Sequence, residues 1–210
     1  KLINLNFQVT VIDKIEYDQT SLFHLFNNKN FNLIRGDVTN SKLIGSIIKK
    51  FDYIIPLAAL VGAPLCDKYP KEAVNINYGA IKLILSYIKP SQKIIFTTTN
   101  SGYGIGLKDK YCDENSPLNP ISLYGQTKVD AEKEILNHKN SISLRLATVF
   151  GYSFRMRTDL LVNNFVLRAV KDKKIVLFEP NFRRNFIHVR DVCYAILFSI
   201  KNFNKLKNNI

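Results

Sequence analysis

The chain has 210 residues, 46% of them apolar, and carries a formal net charge of +13 at pH 7. That length can bury one sizeable core, and no apolar run reaches the roughly 18–20 residues that a membrane span needs. The lysines are spread among asparagine and isoleucine residues, which favours a compositional bias over a nucleic-acid-binding patch, although a basic surface suits anionic small molecules. Three scattered cysteines lack metal-ligand spacing, so we expect a reduced, cytoplasmic compartment and no metal site.

In chain order, apolar runs of strand length alternate with segments of helical spacing. The pattern predicts strands at residues 8–12, 32–35, 52–56, 93–98 and 141–146, a short strand at 175–178 and an extended segment at 185–189. It predicts the tail of a helix at 1–7, a short helix at 22–28, a long helix at 69–88 and further helices at 41–50, 122–137 and 159–171. A final helix is predicted at 191–200, capped by Asp191. Continuous apolar strands between helices are typical of a parallel sheet covered on both faces. We therefore predict an α/β fold with a doubly wound parallel sheet.

Tyr124 and Lys128 stand four residues apart in the helix predicted at 122–137, so they share one helical face. An ammonium beside a phenol stabilises the phenolate and lowers a pKa that is normally about 10. The tyrosine then becomes a general acid/base that works near neutral pH. A hydroxyl residue from the strand end just upstream, within residues 97–104, can anchor a substrate alcohol against that phenol. The pattern indicates removal of a proton from an alcohol while a hydride leaves its carbon.

Polar or small residues follow most of the predicted strands, at the edge where parallel sheets bind ligands. They are Asp13, Asp37, Ala58, Ala59, Thr99 and Thr148. Asp13 stands where an acid accepts both hydroxyls of an adenosine ribose, and it would repel a 2′-phosphate, which favours NAD over NADP. A dinucleotide-binding sheet also needs a glycine-rich turn about 20 residues earlier, and none precedes Asp13. We therefore expect a fragment that is truncated at its front, is inactive by itself and binds NAD weakly or not at all.

Seven short segments carry a family resemblance. They are Val11–Asp13, Gly36–Val38, Leu57–Ala59, Thr97–Gly104, Pro120–Lys128, Arg145–Gly151 and Arg184–Val189. In this order they resemble the extended short-chain dehydrogenase/reductase superfamily, in its nucleotide-sugar epimerase/dehydratase branch, over essentially the whole chain. Within that branch, Thr99–Gly106 and Arg145–Gly151 are most similar to enzymes that oxidise carbon 4 of GDP-linked heptoses in bacterial capsule pathways.

The resemblance implies a Rossmann-like NAD-binding domain in residues 1–150, without its first strand and glycine-rich loop, and part of a smaller substrate lobe in 151–210. The catalytic residues that it implies are Thr99, Tyr124 and Lys128. The residues that it places near NAD are Asp13, Asp37, Val38, Leu57, Ala58, Ala59, Asn77, Tyr124 and Lys128. Those that it places near the substrate are Thr99, Asn100, Thr148, Arg155, Arg157 and Arg184. His188 is expected to be structural.

Asn100 and Ser101 separate the reactions within this branch. Its sugar 4,6-dehydratases carry acidic residues at these positions, whereas an amide and a hydroxyl have no usable pKa for removing the carbon 5 proton. The resemblance thus implies NAD-dependent oxidation or epimerisation at carbon 4 of a GDP- or UDP-linked sugar, by a homodimer that binds neither nucleic acid nor membrane. Three alternatives stay open: a superfamily enzyme for a non-sugar alcohol, a non-catalytic nucleotide-binding protein and, from charge alone, a nucleic-acid binder.

Overall fold

The computed structural model describes residues 1–17, 20–106, 110–178, 180–181 and 183–210. The strands of this part of the chain are β1 (Val9–Asp13), β2 (Phe31–Arg35), β3 (Tyr53–Ile54), β4 (Lys93–Thr99), β5 (Ser141–Leu146), β6 (Thr148–Phe150) and β7 (Phe186–His188). The helices are α1 (Ser41–Ile47), α2 (Ala63–Lys68), α3 (Pro70–Val74), α4 (Ala80–Tyr87), α5 (Leu123–Leu136), α6 (Leu161–Lys171), α7 (Val189–Lys201) and α8 (Phe203–Leu206). Strands and helices alternate along the chain, as the sequence predicts.

The strands pair in parallel throughout the described residues. They form three ladders, β1–β2, β3–β4–β5 and β6–β7. The β4–β5 ladder is the longest and runs from the Ile94–Ser141 pair to the Thr99–Leu146 pair. This register brings the carboxyl ends of β4 and β5 to one edge.

Both faces of the central ladder are covered. Ile94 and Phe96 of β4 pack into a cluster with Ile44, Ile48, Ile54, Ile81, Ile84, Ala131 and Ile135, which draws in α1, α4 and α5. Ile95, between them, packs on the opposite face with Ile142, Ile200 and Phe203, beside α7 and α8. Because successive strand residues point to opposite faces, this alternation is what a doubly wound sheet requires, and the predicted fold class is confirmed.

Several predicted elements are wrong in detail. Residues 1–7 and 22–28 contain only single 3₁₀ turns, Ile3–Leu5 and Phe23–Leu25. The helix predicted at 69–88 is interrupted by a π turn at Asn75–Gly79, and α2 and β6 were not predicted. Residues 175–178 are exposed and belong to none of the ladders that the described residues form, because β-branched composition does not itself supply a partner strand.

Helix α7, predicted at 191–200, begins earlier than predicted. It starts at Val189, and the cap is His188, whose Nδ1 accepts a hydrogen bond from the backbone N–H of Arg190 at 3.2 Å. Asp191 lies inside the first turn, where a carboxylate still interacts favourably with the helix dipole. Among the helices of the described ranges, none is both long enough and apolar enough to cross a membrane.

Candidate active site

Thr99 ends β4 and begins the turn that follows it. Its hydroxyl accepts a hydrogen bond from the backbone N–H of Ser101 at 3.1 Å and lies 3.2 Å from the Ser101 hydroxyl. It thereby caps the 3₁₀ turn Asn100–Tyr103. The neighbouring Thr98 points elsewhere, with its hydroxyl 3.5 Å from the carbonyl oxygen of Lys128. The strand alternation therefore gives these adjacent threonines different surroundings.

Tyr124 lies in the first turn of α5, which is fixed by the Ser122 cap. The Ser122 hydroxyl accepts a hydrogen bond from the backbone N–H of Gly125 at 3.1 Å. Burial raises the pKa of the Tyr124 phenol, and the nearby Cys66 thiol adds to that rise. The nearby Thr99 side chain and the positive charge of Arg157 act in the opposite direction and lower this pKa. The structure thus brings the two predicted hydroxyl groups together.

Lys128 does not act on Tyr124 as their helical spacing predicts. Burial lowers the pKa of Lys128 to about 8, and the carboxylate of Glu132 opposes that fall. The side chain is 6% exposed, and its ammonium lies 4.1 Å from the centroid of the Phe96 ring. The expectation that this ammonium lowers the pKa of Tyr124 is therefore wrong for this structure: helical spacing aligns the Cβ atoms, but a long side chain can turn inward from there.

Two carboxylates occupy the strand ends on the predicted cofactor side. Asp13, at the end of β1, accepts a hydrogen bond from the backbone N–H of Ile15 at 2.7 Å. Asp37, just after β2, accepts two hydrogen bonds from Thr39 at 2.8 Å and lies 3.0 Å from the ammonium of Lys14. Burial opposes ionisation of Asp37, but its hydrogen bonds with Thr39 and Lys14 outweigh burial and lower its pKa.

The loop after β3 presents apolar surface at the same edge. Leu57 is 61% exposed, Ala58 is exposed and Ala59 is half-buried. Asn77 holds the far end of this loop: its side chain accepts from the backbone N–H of Leu60 at 2.8 Å and donates to the carbonyl oxygen of Leu60 at 3.0 Å. Asn77 is 2% exposed, so it supports the loop from below.

Three predicted substrate residues lie on the loop after β6 or close to it. Arg157 makes a bidentate ion pair with Asp159 at 2.8 and 2.6 Å, and the guanidinium of Arg155 lies 3.7 Å from the centroid of the Tyr17 ring. Thr148 starts β6 itself and pairs with Phe186 of β7. Of these, Arg157 is the residue whose charge reaches Tyr124.

The segment before β7 joins the Thr99 turn through an amide pair. The side chain of Asn100 donates a hydrogen bond to the side chain of Asn185. Arg184, exposed and next to Asn185, is thereby held near the turn. Sequence reasoning missed Asn185, because only the fold brings it within reach of Asn100.

His188 supports the backbone and makes no contact with Tyr124 that the described residues record. Besides capping α7, its ring lies so close to Gly151 that a Cβ there would sit 2.5 Å from Nε2. Gly151 has φ of 114°, a conformation that suits glycine. The buried Asn163 side chain accepts from the Gly151 backbone N–H and donates to the Arg157 carbonyl oxygen, both at 3.0 Å, and so shapes the same loop.

Comparisons with known proteins identify the family that this chain resembles. The model of a family described as the NAD dependent epimerase/dehydratase family matches residues 1–210. UDP-glucuronate 4-epimerase 1 of Arabidopsis thaliana is 25% identical over 196 residues, which cover 86% of this chain and 45% of that protein. The dTDP-D-glucose 4,6-dehydratase of Homo sapiens is 24% identical over 208 residues, which cover 93% and 59% respectively. The chain thus spans about half the length of these curated relatives.

Solved structures show the same fold. A UDP-glucuronic acid 4-epimerase from Bacillus cereus, in complex with UDP-glucuronic acid and NAD, superposes with a TM-score of 0.82 at 24% identity, over 99% of this chain and 69% of that one. A dTDP-glucose 4,6-dehydratase from Bacillus anthracis, in complex with NAD, gives 0.81 at 21% identity, over 100% and 69%. These structures confirm the predicted Rossmann-like fold, and the family match confirms the predicted cofactor, NAD.

Proposed function

The chain belongs to the NAD dependent epimerase/dehydratase family, and we propose that its protein oxidises or epimerises carbon 4 of a nucleotide-linked sugar. The observation that carries this proposal is that the Thr99 side chain, at the carboxyl end of β4, lies close enough to the buried Tyr124 phenol to lower its pKa. Lys128 follows one helical turn later on the same helix. Two hydroxyl groups and one amine are the set that alcohol oxidation needs at this edge of the sheet.

The residues at the strand ends suit NAD. The Asp13 carboxylate can accept both hydroxyls of the adenosine ribose, Asp37 and Val38 would flank the adenine, and the exposed loop Leu57–Ala59 offers apolar cover and backbone groups to the rest. Lys128 would hold the second ribose. When bound, NAD supplies the acceptor for the hydride.

The protein's own part in the chemistry is to move one proton at Tyr124 Oη. Thr99 holds the sugar hydroxyl at carbon 4, and Tyr124 takes its proton as the hydride departs. Since burial keeps the pKa of Tyr124 raised, the ligand-free phenol is protonated and already in the form that returns a proton to a ketosugar. The charge of Arg157 favours the opposite, phenolate form, which the oxidation direction requires.

The substrate side carries positive charge that suits a diphosphate. Arg184 would bind the diphosphate, with Arg155 and Arg157 on the facing loop, because guanidinium groups bind phosphate in bidentate fashion. Asn100, which donates to Asn185, and Thr148 would line the sugar pocket. The two curated relatives are named for UDP- and dTDP-linked sugars, so a GDP-linked heptose stays a prediction.

Family membership alone does not choose among the reactions, since both an epimerase and a 4,6-dehydratase are relatives. Asn100 and Ser101 favour chemistry confined to carbon 4, because neither side chain can serve as the acid or base of a dehydration. If the ketosugar rotates in the pocket and the hydride returns to its other face, the enzyme is an epimerase; if the ketosugar leaves, it is a dehydrogenase. We also propose a homodimer through α5 and the helices before it, where Val74 is 44% exposed.

The test uses the full-length protein and a panel of UDP-glucuronate, dTDP-glucose and a GDP-heptose. We expect one of them to be converted with NAD, to a carbon 4 epimer or ketone that NMR identifies, and with much less activity on NADP. Conversion of a non-sugar alcohol with none of the nucleotide sugars would overturn the proposal. A 4-keto-6-deoxy product would overturn the part that rests on Asn100 and Ser101.

A further inference from the structure

A buried ion pair lies behind the candidate active site and joins α5 to β5. Glu132 is 2% exposed, and the side chain of Arg145 is 8% exposed. Nε of Arg145 donates to both carboxylate oxygens of Glu132, at 3.0 and 3.1 Å. The hydroxyl of Ser143 donates to one of the same oxygens at 2.8 Å. Both charges are thus paired and hydrogen-bonded inside the protein.

Arg145 extends this pair to the turn that Thr99 begins. Its Nη1 donates to the Tyr103 hydroxyl at 3.2 Å and to the carbonyl oxygen of Glu114 at 3.0 Å. The guanidinium carbon also lies 5.3 Å from the centroid of the Tyr103 ring. Since Tyr103 is the last residue of the turn Asn100–Tyr103, the guanidinium holds that turn at its far end while Thr99 caps its near end.

These contacts lie one step from Thr99 and from Lys128, two of the three proposed catalytic residues. Arg145 pairs with Thr98 across the β4–β5 ladder, one residue before Thr99. Glu132 lies one helical turn after Lys128, and its charge acts on that lysine. A buried ion pair of this kind contributes little net stability compared with apolar residues of the same size, so its presence suggests a demand for geometry.

We infer that Glu132, Arg145 and Tyr103 form a positioning network that holds the Thr99 turn at a fixed distance from the helix carrying Tyr124 and Lys128. The inference rests on the proposed function, because it assigns the network a part in that reaction. None of the three residues touches the substrate; each acts through Thr99 or Lys128. The titratable groups that face Glu132 are Lys128 on its own helix, Arg145 on β5 and, through Arg145, Tyr103.

The first experiment compares Glu132→Gln with Ser143→Ala in the full-length protein. Ser143→Ala removes one hydrogen bond to Glu132 but leaves the charge and the ion pair, so it is the matched control. In Glu132→Gln we expect kcat to fall by about tenfold or more, as small misplacements of reacting groups do, while KM for the nucleotide sugar changes little. Lys128 loses the carboxylate that opposes its fall in pKa, so its titration should move to lower pH.

That titration is measured by NMR of lysine side chains, with the Lys128 signal assigned by its loss in Lys128→Met. It needs neither substrate nor turnover, so it separates failure of this inference from failure of the proposed function. If no nucleotide sugar reacts but the Lys128 titration still shifts in Glu132→Gln and not in Ser143→Ala, the proposed function fails while the link from Glu132 to Lys128 stands.

Two further variants guard against simple unfolding. The double variant Glu132→Gln/Arg145→Met removes both charges of the ion pair, so neither partner is left buried without the other and we expect the fold to be retained. Tyr103→Phe keeps the ion pair and removes only the hydroxyl that Arg145 reaches. We expect a low kcat in both variants, and a shifted Lys128 titration only in the double variant. Glu132→Asp, which keeps a carboxylate at this position, should retain part of the kcat that Glu132→Gln loses. Wild-type kcat and an unmoved Lys128 titration in the folded double variant would overturn the inference.

Discussion

The two halves of the candidate site differ in how much of their geometry exists before any ligand arrives. Thr99 and Lys128 are 9% and 6% exposed and are held by β4, α5 and the core beneath them. Arg155 and Arg184, on the substrate side, are exposed and lie on loops around β6 and β7. The proposed catalytic groups are therefore positioned by packing, whereas the residues proposed to bind the sugar nucleotide lie on exposed loops, as binding residues often do.

The largest expected effect comes from the buried half. Tyr124→Phe should lower kcat by about 100- to 10,000-fold, because it removes the acid/base and leaves the ring in place. Binding of NAD and of the nucleotide sugar, measured by calorimetry, should stay unchanged. The matched control is Tyr78→Phe, whose hydroxyl donates to Glu134 near the other end of α5 at 3.0 Å. Equal kcat values in the two variants would contradict the assignment of Tyr124.

A second effect tests the cost of burying Lys128. Lys128→Met should raise the free energy of unfolding near pH 7 by on the order of 3 kcal/mol, from the fall of its pKa from 10.5 to about 8 at 1.36 kcal/mol per unit. A lowered pKa means that the unfolded chain binds the proton more tightly, so this penalty applies fully below about pH 8 and disappears as the pH rises towards 10.5.

Urea unfolding of the wild type and of Lys128→Met across this pH range measures the difference between their free energies of unfolding. The control is Lys133→Met, whose side chain is 67% exposed and whose substitution should change stability by less than about 0.5 kcal/mol. If this difference in unfolding free energy widened with rising pH, Lys128 would not be held as a desolvated amine.

Substitutions in the exposed half of the candidate site should change KM. Arg184→Ala should raise KM for the nucleotide sugar by about 10- to 100-fold, because a hydrogen bond to a charged group contributes about 1.5–3 kcal/mol. The kcat should change much less. Arg168→Ala is the control, since Arg168 pairs with Asp172 on the surface of α6. A loss of kcat with unchanged KM would show that Arg184 acts in the reaction itself, like the buried residues, and not in binding the nucleotide sugar.

The smallest effect concerns the cofactor. Asn in place of Asp13 can still accept from the Ile15 backbone N–H, so Asp13→Asn should keep the turn and lose only the charge. We expect NAD to bind roughly tenfold more weakly, with NADP affected less because the repulsion of a 2′-phosphate is removed. Calorimetry with both nucleotides measures the ratio. An unchanged preference for NAD would show that Asp13 does not read the ribose.

The sequence predicts most reliably what depends on local pattern. The strand at 141–146 and the helix around Tyr124 have the predicted bounds to within a residue, because their apolar periodicity and the Ser122 cap are local signals. The family motifs also supply the proposed catalytic residues, because each motif is a short contiguous segment that can be found without knowing the fold; their roles stay a prediction. The sequence does not show side-chain direction, so the ammonium of Lys128 over Phe96 could not be foreseen.

Contacts between distant segments are the other part that sequence reasoning misses. A glutamate four residues after a lysine is usually a surface pair on a helix, yet Glu132 is buried because β5 places Arg145 against it. No local sequence pattern marks Asn185 or Asn163, and only the fold shows their hydrogen-bond partners. The apolar segment at 175–178 failed for the same reason, since a strand needs a neighbour that composition does not reveal.

The central claim is that carbon 4 of the sugar loses a hydride while the hydroxyl on that carbon, held at Thr99 and Tyr124, loses its proton. It is tested most directly with nucleotide sugars carrying deuterium at carbon 4, drawn from the same panel, in a single turnover with the wild-type protein and with Tyr124→Phe. We expect deuterium to be recovered on the nicotinamide ring of the wild type when the turnover is quenched before the hydride can return to the ketosugar, and not to be found there in the variant. Turnover of the sugar with all of its deuterium left on carbon 4 and none passing through the nicotinamide would contradict the claim.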